Sequence, residues 1–215
     1  MKYRRVFKDL DVYPFYEKDP ATTIVSQPSQ MTDEKKLQFY QALIDDVISR
    51  YQKDDTGHKQ ITDLVKLIWV VYGVFIQIGV PNTAAEKFFK VMRLSNPEGL
   101  KINYNEVQQV EQHVAYMHRL SSEFKTTYVL HRQVEALQNL LSIAILRLDE
   151  FHISYEQVLD IFDVLTRTYL TDVQADGFIH RDTETFKCIK PADGRYIDPY
   201  ISVKEYLDTG AVSKL

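Results

Sequence analysis

Three aspartates and a lysine lie at helical spacing in the first third of the chain. Asp45 and Asp46 are adjacent in one amphipathic stretch, and Asp63 precedes Lys66 by about one turn in the next. Carboxylates on successive turns share a helix face, and a hard cation such as Mg²⁺ prefers oxygen ligands. The same pattern is typical of a solvated acidic face with a salt-bridged lysine, so the residues alone leave both interpretations open.

The elements that position these side chains are predicted to be helices. The 215 residues are 45% hydrophobic and include only seven glycines and seven prolines, which favours long helices over turn-rich β structure. The net charge is −4 and the basic residues are scattered, so we expect no nucleic-acid-binding surface. The longest apolar run, 67–80, is too short to span a bilayer. The N-terminus lacks the apolar core of a secretory signal. We therefore expect no membrane association.

Cysteine and histidine usage excludes several kinds of site. The single cysteine, Cys188, forms no internal disulfide and no multi-cysteine metal site. None of the six histidines has the spacing of a zinc ligand pair. A cytoplasmic location is the natural expectation, in the host cytoplasm if the chain is encoded by a phage.

Helical periodicity of the apolar residues defines the predicted elements. Gly79 is expected to end the second helix as a C-cap, and Ser154 is expected to cap a later one. Residues 1–30 are expected to be irregular. The predicted helices are 33–51, 60–78, one that begins near residue 83, 104–125, 130–148 and 155–169, and the predicted short strands of the tail are 178–180 and 186–189.

The order of these parts repeats along the chain with an offset of 73 residues. Gly79 then aligns with His152, and Phe89 aligns with Phe162. Few identities accompany the pattern. Either the two halves arose by duplication, or two helical hairpins share a common arrangement of polar and apolar residues.

Three stretches occur in a characteristic order: "PSQMTDEKKLQFYQALIDDV", "ITDLVKLIWVVYGVFIQIGVP" and "AEKFFKVMRLSNPEG". They resemble the MazG-like all-α nucleotide pyrophosphohydrolase family, in particular its phage-borne branch. The segment "DVLTRTYLTDVQADGFIHRDTETFKCIKPADGRYIDPYI" is similar to the tail of that family. The resemblance covers roughly residues 28–100 and 130–201. It implies an all-α chain of tandem MazG-like bundles with a mixed C-terminal tail, divided into a lead-in of 1–30, a first unit of 31–103 and a second unit of 104–215.

The resemblance also implies an activity, which is the Mg²⁺-dependent hydrolysis of a nucleoside or deoxynucleoside triphosphate to the monophosphate and pyrophosphate. Mn²⁺ is the alternative metal. Asp45, Asp46 and Asp63 match the positions of the family's catalytic and metal-binding acids. The positions expected to bind the substrate are Lys66, Arg93, Asn96, Arg167 and Lys190.

The chain departs from the family's acidic motif, which reads E-E-x-x-E on one helix and E-x-x-D on the next. Ser49 stands where the third acid is expected, and Lys66 stands where the closing aspartate is expected. A lysine there would pair with Asp63 or contact phosphate directly, and either arrangement would replace a bound metal.

In the second half the motif is further reduced, because only Glu123 matches its first element. Ala136 and Asn139 align with Asp63 and Lys66, and Glu135 is one position away. Other acids, such as Glu86, Glu123 or Glu135, are candidates to replace the lost ligands. The alternative to hydrolysis is therefore a catalytically inactive relative that binds a nucleotide or a protein partner, as a homodimer or otherwise. A third reading is a purely structural helical protein.

Overall fold

The computed structural model describes residues 17–18, 25–26, 33–80, 110–172, 189–192 and 197–210. Most of these residues are helical, which confirms the predicted all-α class. The two short strands, β1 (Glu17–Lys18) and β2 (Val25–Ser26), pair antiparallel. The helices of the described part are α1 (Asp33–Lys53), α2 (Gly57–Gln77), α3 (Val110–Thr126), α4 (Leu130–Glu150), α5 (Tyr155–Leu170) and α6 (Pro199–Thr209).

Helix α1 buries one face, as its apolar period predicts. Tyr40, Ile44, Ile48 and Tyr51 recur at helical spacing and are each no more than 2% exposed. Asp46 lies on the opposite, exposed face. The position of a residue relative to this apolar stripe therefore decides whether its side chain is available to solvent.

Helix α2 is the central element of the core. It is buried on nearly every side from Ile61 to Phe75, and Trp69 at its middle is 1% exposed. The helix ends as predicted, because Gly79 takes a φ of 84° and the Val80 N–H donates to the Phe75 carbonyl at 2.9 Å. A left-handed glycine with this bond is the usual C-cap of a helix.

The start of α2 differs from the prediction by one turn. The helix begins at Gly57 rather than near residue 60, because the Thr56 carbonyl accepts hydrogen bonds from the N–H groups of Lys59 and Gln60. Local backbone bonding thus extends the helix into a polar segment that carries no apolar period.

The second pair of helices forms a hairpin, in which α3 packs against α4, and α4 also packs against α2. Helix α5 begins with a reciprocal cap. The Ser154 hydroxyl accepts from the Gln157 N–H, and the Gln157 side chain accepts from the Ser154 N–H. The Tyr72 and Phe162 rings meet edge to face with centroids 6.1 Å apart, which joins α2 to α5.

Helix α6 was not predicted, although the sequence carries its end signals. The Asp198 side chain accepts from the Tyr200 N–H at 2.9 Å, and Pro199 occupies the first helical position. Gly210 ends the helix with a φ of 67°. The predicted strands of the tail lie outside the described residues except for Ile189, which belongs to no strand. The predicted helix that begins near residue 83 also lies outside them.

The helix ends agree with the predicted repeat. Helices α2 and α4 begin and end 73 residues apart, as do the last residues of α1 and α3. His152, the counterpart of Gly79, has a φ of 57°, and the Ile153 N–H donates to the Leu148 carbonyl just as Val80 does to Phe75. The tandem arrangement stays a prediction, and this agreement favours it.

Two compact units divide the chain, one of residues 40–162 and one of residues 1–39 with 163–215. Helices α2, α3 and α4 lie wholly in the first of these. The predicted boundary between residues 103 and 104 falls outside the described residues. In the described part of the chain, no helix combines the length and apolarity needed to cross a bilayer.

Candidate functional site

Asp45 is bound to a histidine of another helix. Its Oδ1 lies 3.0 Å from Nδ1 of His118 on α3, and both side chains are about one third exposed, at 33% and 37%. The contact links α1 to α3 at the edge of the buried face. The carboxylate that sequence reasoning assigned to a metal therefore has an imidazole as its neighbour.

Asp46 differs from Asp45 in its exposure and in its partner. Its side chain is 48% exposed, and its Oδ2 accepts from the Arg50 guanidinium at 2.5 Å, one turn along the same helix. Such a pair is typical of a solvated helix face. Asp45 and Asp46 thus have different partners in spite of being adjacent.

Asp63 is fully buried, at 0% exposure, and Lys66 is half-buried one turn later. Burial of a carboxylate is costly unless the charge is compensated, so Asp63 requires polar or charged groups around it. In residues 33–80 and 110–172, as in the rest of the described chain, no three acidic, histidine or cysteine side chains gather where they could hold a metal ion. Asp45, Asp46 and Asp63 thus belong to no such three-ligand group among the described residues, and their metal-binding role stays a prediction.

The residues predicted to bind the substrate are distributed between several places. Arg167 donates to Asp163 at 2.6 Å on its own helix, and Lys190 lies 3.2 Å from the buried Asp172. Both cations have carboxylate neighbours. Arg93 and Asn96 lie outside the described residues.

Helices α3 and α4 form an open groove between them, which has a volume of about 580 Å³. Leu120 and Ala136 lie at its floor but are only 1% and 3% exposed, so most of the accessible lining is polar. Polar side chains form its rim. The complete lining is Tyr116, Leu120, Glu123, Thr126, Thr127, Arg132, Glu135, Ala136 and Asn139.

The charges on the rim of the groove differ in their partners. Glu123 lies 3.4 Å from Arg119, whose guanidinium stacks 4.5 Å from the centroid of the Tyr116 ring. Within the described part of the chain, Arg132 and Glu135 form no ion pair with any side chain. A guanidinium and a carboxylate are therefore available to a ligand on the same face of α4.

This groove coincides with the second-half counterpart of the predicted site. Ala136 and Asn139 align with Asp63 and Lys66, and both line it. Sequence reasoning named Glu123 and Glu135 as spare acids but missed Tyr116 and Arg132. The available signal was the spacing of Arg132, Glu135 and Asn139, which places three polar side chains on one face of α4.

A buried polar cluster holds α1 against α4. The Arg147 Nε donates to the Tyr51 hydroxyl at 2.9 Å, and the same guanidinium pairs with Glu150. Burial raises the pKa of the Tyr51 hydroxyl, and the Arg147 hydrogen bond and charge oppose that rise. The cluster stabilises the contact between α1 and α4, because its polar groups satisfy one another's hydrogen-bonding capacity.

Comparison with known proteins finds no match: no family model, no curated protein and no solved structure matches this chain. The MazG-like resemblance therefore stays a prediction drawn from the quoted motifs.

Proposed function

We propose that the protein binds a nucleotide in the groove between α3 and α4 without needing to hydrolyse it. The observation that supports this proposal is the pair of charges, Arg132 and Glu135, that form no ion pair in the described part of the chain and line a cavity of about 580 Å³. Small-molecule sites usually measure about 300–1,000 Å³ and combine an apolar floor with a few polar groups. The groove has that size but is more polar than such sites, since six of its nine lining residues are polar.

Each chemical part of a nucleotide has a partner in the lining. The Arg132 guanidinium suits a phosphate, with which it forms two parallel hydrogen bonds. Leu120 and Ala136 offer a base only a small apolar contact, because they are 1% and 3% exposed. The Asn139 amide can both donate to and accept from a base edge, and the Glu135 carboxylate accepts from sugar hydroxyls.

The charge of the rim favours few phosphates. Glu123 and Glu135 both line the groove, and they repel each additional phosphate in the absence of a cation. Arg132 is balanced by no carboxylate within the described residues, so a single phosphate is matched by a single guanidinium. We therefore expect a nucleoside monophosphate to bind more tightly than the triphosphate when no divalent metal is present.

Isothermal titration calorimetry with ribo- and deoxynucleoside monophosphates in the presence of EDTA tests the proposal. Loss of a charge-assisted hydrogen bond costs about 1.5–3 kcal/mol, so Arg132→Ala should weaken binding by about tenfold or more. Lys204→Ala is the matched control, because this exposed lysine pairs with Asp208 on α6. The control should bind as the wild type does.

Either of two results would overturn the proposal. One is that folded protein binds no nucleotide at millimolar concentration. The other is that Arg132→Ala and Lys204→Ala bind equally well, which would place the ligand away from the groove.

Metal-dependent hydrolysis of a nucleoside triphosphate is the second candidate, with Asp45, Asp46 and Asp63 as the catalytic acids. The observation that favours it is the complete burial of Asp63 next to the half-buried Lys66, since a buried carboxylate is uncommon without a functional or pairing reason. This candidate requires further ligands, because the three acids belong to no three-ligand group among the described residues.

Pyrophosphate release in the presence of Mg²⁺ or Mn²⁺ separates the two candidates. Asp46→Asn is the cleaner variant, because Asp46 is 48% exposed and its substitution should leave the fold intact. Turnover by the wild type that both Asp46→Asn and Asp63→Asn abolish would establish hydrolysis. If the protein binds a monophosphate but shows no turnover, nucleotide binding without hydrolysis would be the remaining candidate.

A further inference from the structure

Tyr116 is the aromatic side chain among the described residues that line the groove between α3 and α4. Leu120 and Ala136 at the floor are almost inaccessible, whereas Tyr116 is half-buried. The remaining side chains of the lining are polar. The Tyr116 ring is therefore the flat apolar surface that the groove offers to a ligand.

One face of the Tyr116 ring is covered by Arg119, whose guanidinium carbon lies 4.5 Å from the ring centroid. The Arg119 Nε lies 3.4 Å from Oε1 of Glu123. Arg119 is 64% exposed and does not belong to the groove lining, so the ring face that it covers is not the face that borders the groove. A ring that a cation–π contact already holds loses less conformational freedom when a ligand stacks on its other face.

Tyr116 and Arg132 lie at different positions along the length of the groove. The packed helices α3 and α4 are joined by the short segment 127–129, and helices joined in this way run antiparallel. Arg132 therefore lies level with residue 124 of α3, which is about eight residues, or about 12 Å along the helix axis, from Tyr116. By the same count, Asn139 lies level with Tyr116.

We propose that Tyr116 stacks on the base of the bound nucleotide and makes the groove selective for purine nucleoside monophosphates. The inference rests on the proposed function, because it assigns the second end of the same ligand. The phosphate lies at Arg132, and the base lies farther along the groove at Tyr116 and Asn139. Phosphate and base are at opposite ends of a nucleotide, so the order of the lining residues matches the order of the ligand's parts.

The preference for a purine follows from the area of contact. Stacking on an aromatic ring is strengthened by overlap, and a two-ring base covers more of the Tyr116 ring than a one-ring base does. Leu120 and Ala136 add little apolar contact that could compensate a smaller base, because they are almost inaccessible. The Asn139 amide, level with the ring, can donate to and accept from the edge of the stacked base.

Calorimetric titration with adenosine and uridine monophosphates, in the presence of EDTA, tests the proposal. We expect the wild type to bind the purine more tightly. Tyr116→Ala should weaken purine binding by about tenfold or more, which is the usual loss when a stacking ring is truncated, and should weaken pyrimidine binding less. Tyr116→Phe keeps the ring and should bind as the wild type does. Tyr128→Ala is the matched control, because Tyr128 is 71% exposed and lies outside the lining.

Fluorine NMR of protein that contains 3-fluorotyrosine gives a readout that a merely structural role would not move. The resonance of Tyr116 is identified by its absence from Tyr116→Phe, and the ring current of a stacked purine should shift it. The resonance of Tyr128 should stay in place. Adenosine, which has no phosphate, should produce the same shift at higher concentration, and Arg132→Ala should not prevent it.

The outcomes distinguish this inference from the proposed function. Binding that Arg132→Ala weakens but Tyr116→Ala leaves unchanged overturns the stacking and retains the nucleotide site. Equal affinity of the wild type for the two monophosphates overturns the purine selectivity. A shift of the Tyr116 resonance by adenosine, with monophosphate affinity unchanged in Arg132→Ala, supports the stacking and counts against the phosphate contact. Folded protein that binds neither adenosine nor a nucleotide overturns both proposals.

Discussion

Asp45 and His118 contact each other and stand 73 residues apart, the same interval that separates the ends of α2 and α4. Equivalent positions of two related units meet only close to the axis that relates them. The contact is therefore what a two-fold arrangement of the helix pairs α1–α2 and α3–α4 would give. The acid that the motif assigned to a metal would then lie on that axis.

The Asp45–His118 contact should contribute modestly to stability. Both side chains are about one third exposed, and partly solvated pairs contribute about 0.2–1 kcal/mol. A double-mutant cycle of Asp45→Asn and His118→Asn, measured by urea unfolding, should give a coupling energy in that range that falls with salt. A coupling of several kcal/mol would contradict this.

Tyr51→Phe should destabilise the protein by about 1–3 kcal/mol, because it leaves the Arg147 Nε without its buried acceptor. Tyr128→Phe removes the same hydroxyl from a side chain that is 71% exposed, and it should change the free energy of unfolding by less than about 0.5 kcal/mol. Urea unfolding of both variants makes the comparison. Equal effects would show that the Tyr51–Arg147 bond contributes little.

Substitutions at the two left-handed helix ends should act in opposite directions. Gly79→Ala places a Cβ at a φ of 84° and should cost about 1–2 kcal/mol. His152→Gly relieves a left-handed non-glycine residue at a φ of 57° and should stabilise the fold by about 0.5–1 kcal/mol. Chemical denaturation measures both changes, and a destabilising His152→Gly would indicate that the imidazole has a role of its own.

Stability should decline at high pH because of buried tyrosines. Burial raises the pKa of both Tyr40 and Tyr51 above the ordinary value of 10.0. Above that pH the unfolded chain releases these protons while the folded protein retains them. Each such tyrosine then lowers the free energy of unfolding by about 1.4 kcal/mol per pH unit.

Stability falls only between the tyrosine pKa of the unfolded chain and the higher tyrosine pKa of the folded protein. Below pH 10 the stabilisation by the buried tyrosines is complete. Urea unfolding at several values from pH 8 to pH 11 measures the slope. Tyr40→Phe should reduce it above about pH 10 and leave it unchanged below. A variant with the same slope as the wild type would contradict the assignment to Tyr40.

The sequence predicted the helices best where the apolar period was long. Helices α1, α2 and α4 were anticipated within a few residues, and Gly79 and Ser154 were identified correctly as helix-end residues. Helix α6 was missed because it is short and its apolar pattern is weak, so only Asp198, Pro199 and Gly210 mark it.

The candidate site was predictable only in part, for a physical reason. The sequence placed Asp45 and Asp46 together, but a step of one residue turns a helical side chain by about 100°. One carboxylate consequently meets His118 and the other meets Arg50 in solvent. The importance of Arg132 depends on the packing of α4 against α3, and no local pattern in the sequence contains that information.

The burial of Trp69 has a practical consequence for the measurements above. It is the single tryptophan of the chain and is 1% exposed at the centre of α2, so its fluorescence emission reports, without an added label, on the packing of α2, which includes α4. The position 73 residues later is Ser142, which is 4% exposed on α4. Because α4 packs against α2 as well as α3, Ser142→Trp in a chain with Trp69→Phe would report on both of these contacts of α4. Comparison of the two emission curves would show whether the surroundings of α2 and of α4 lose their packing together or one after the other.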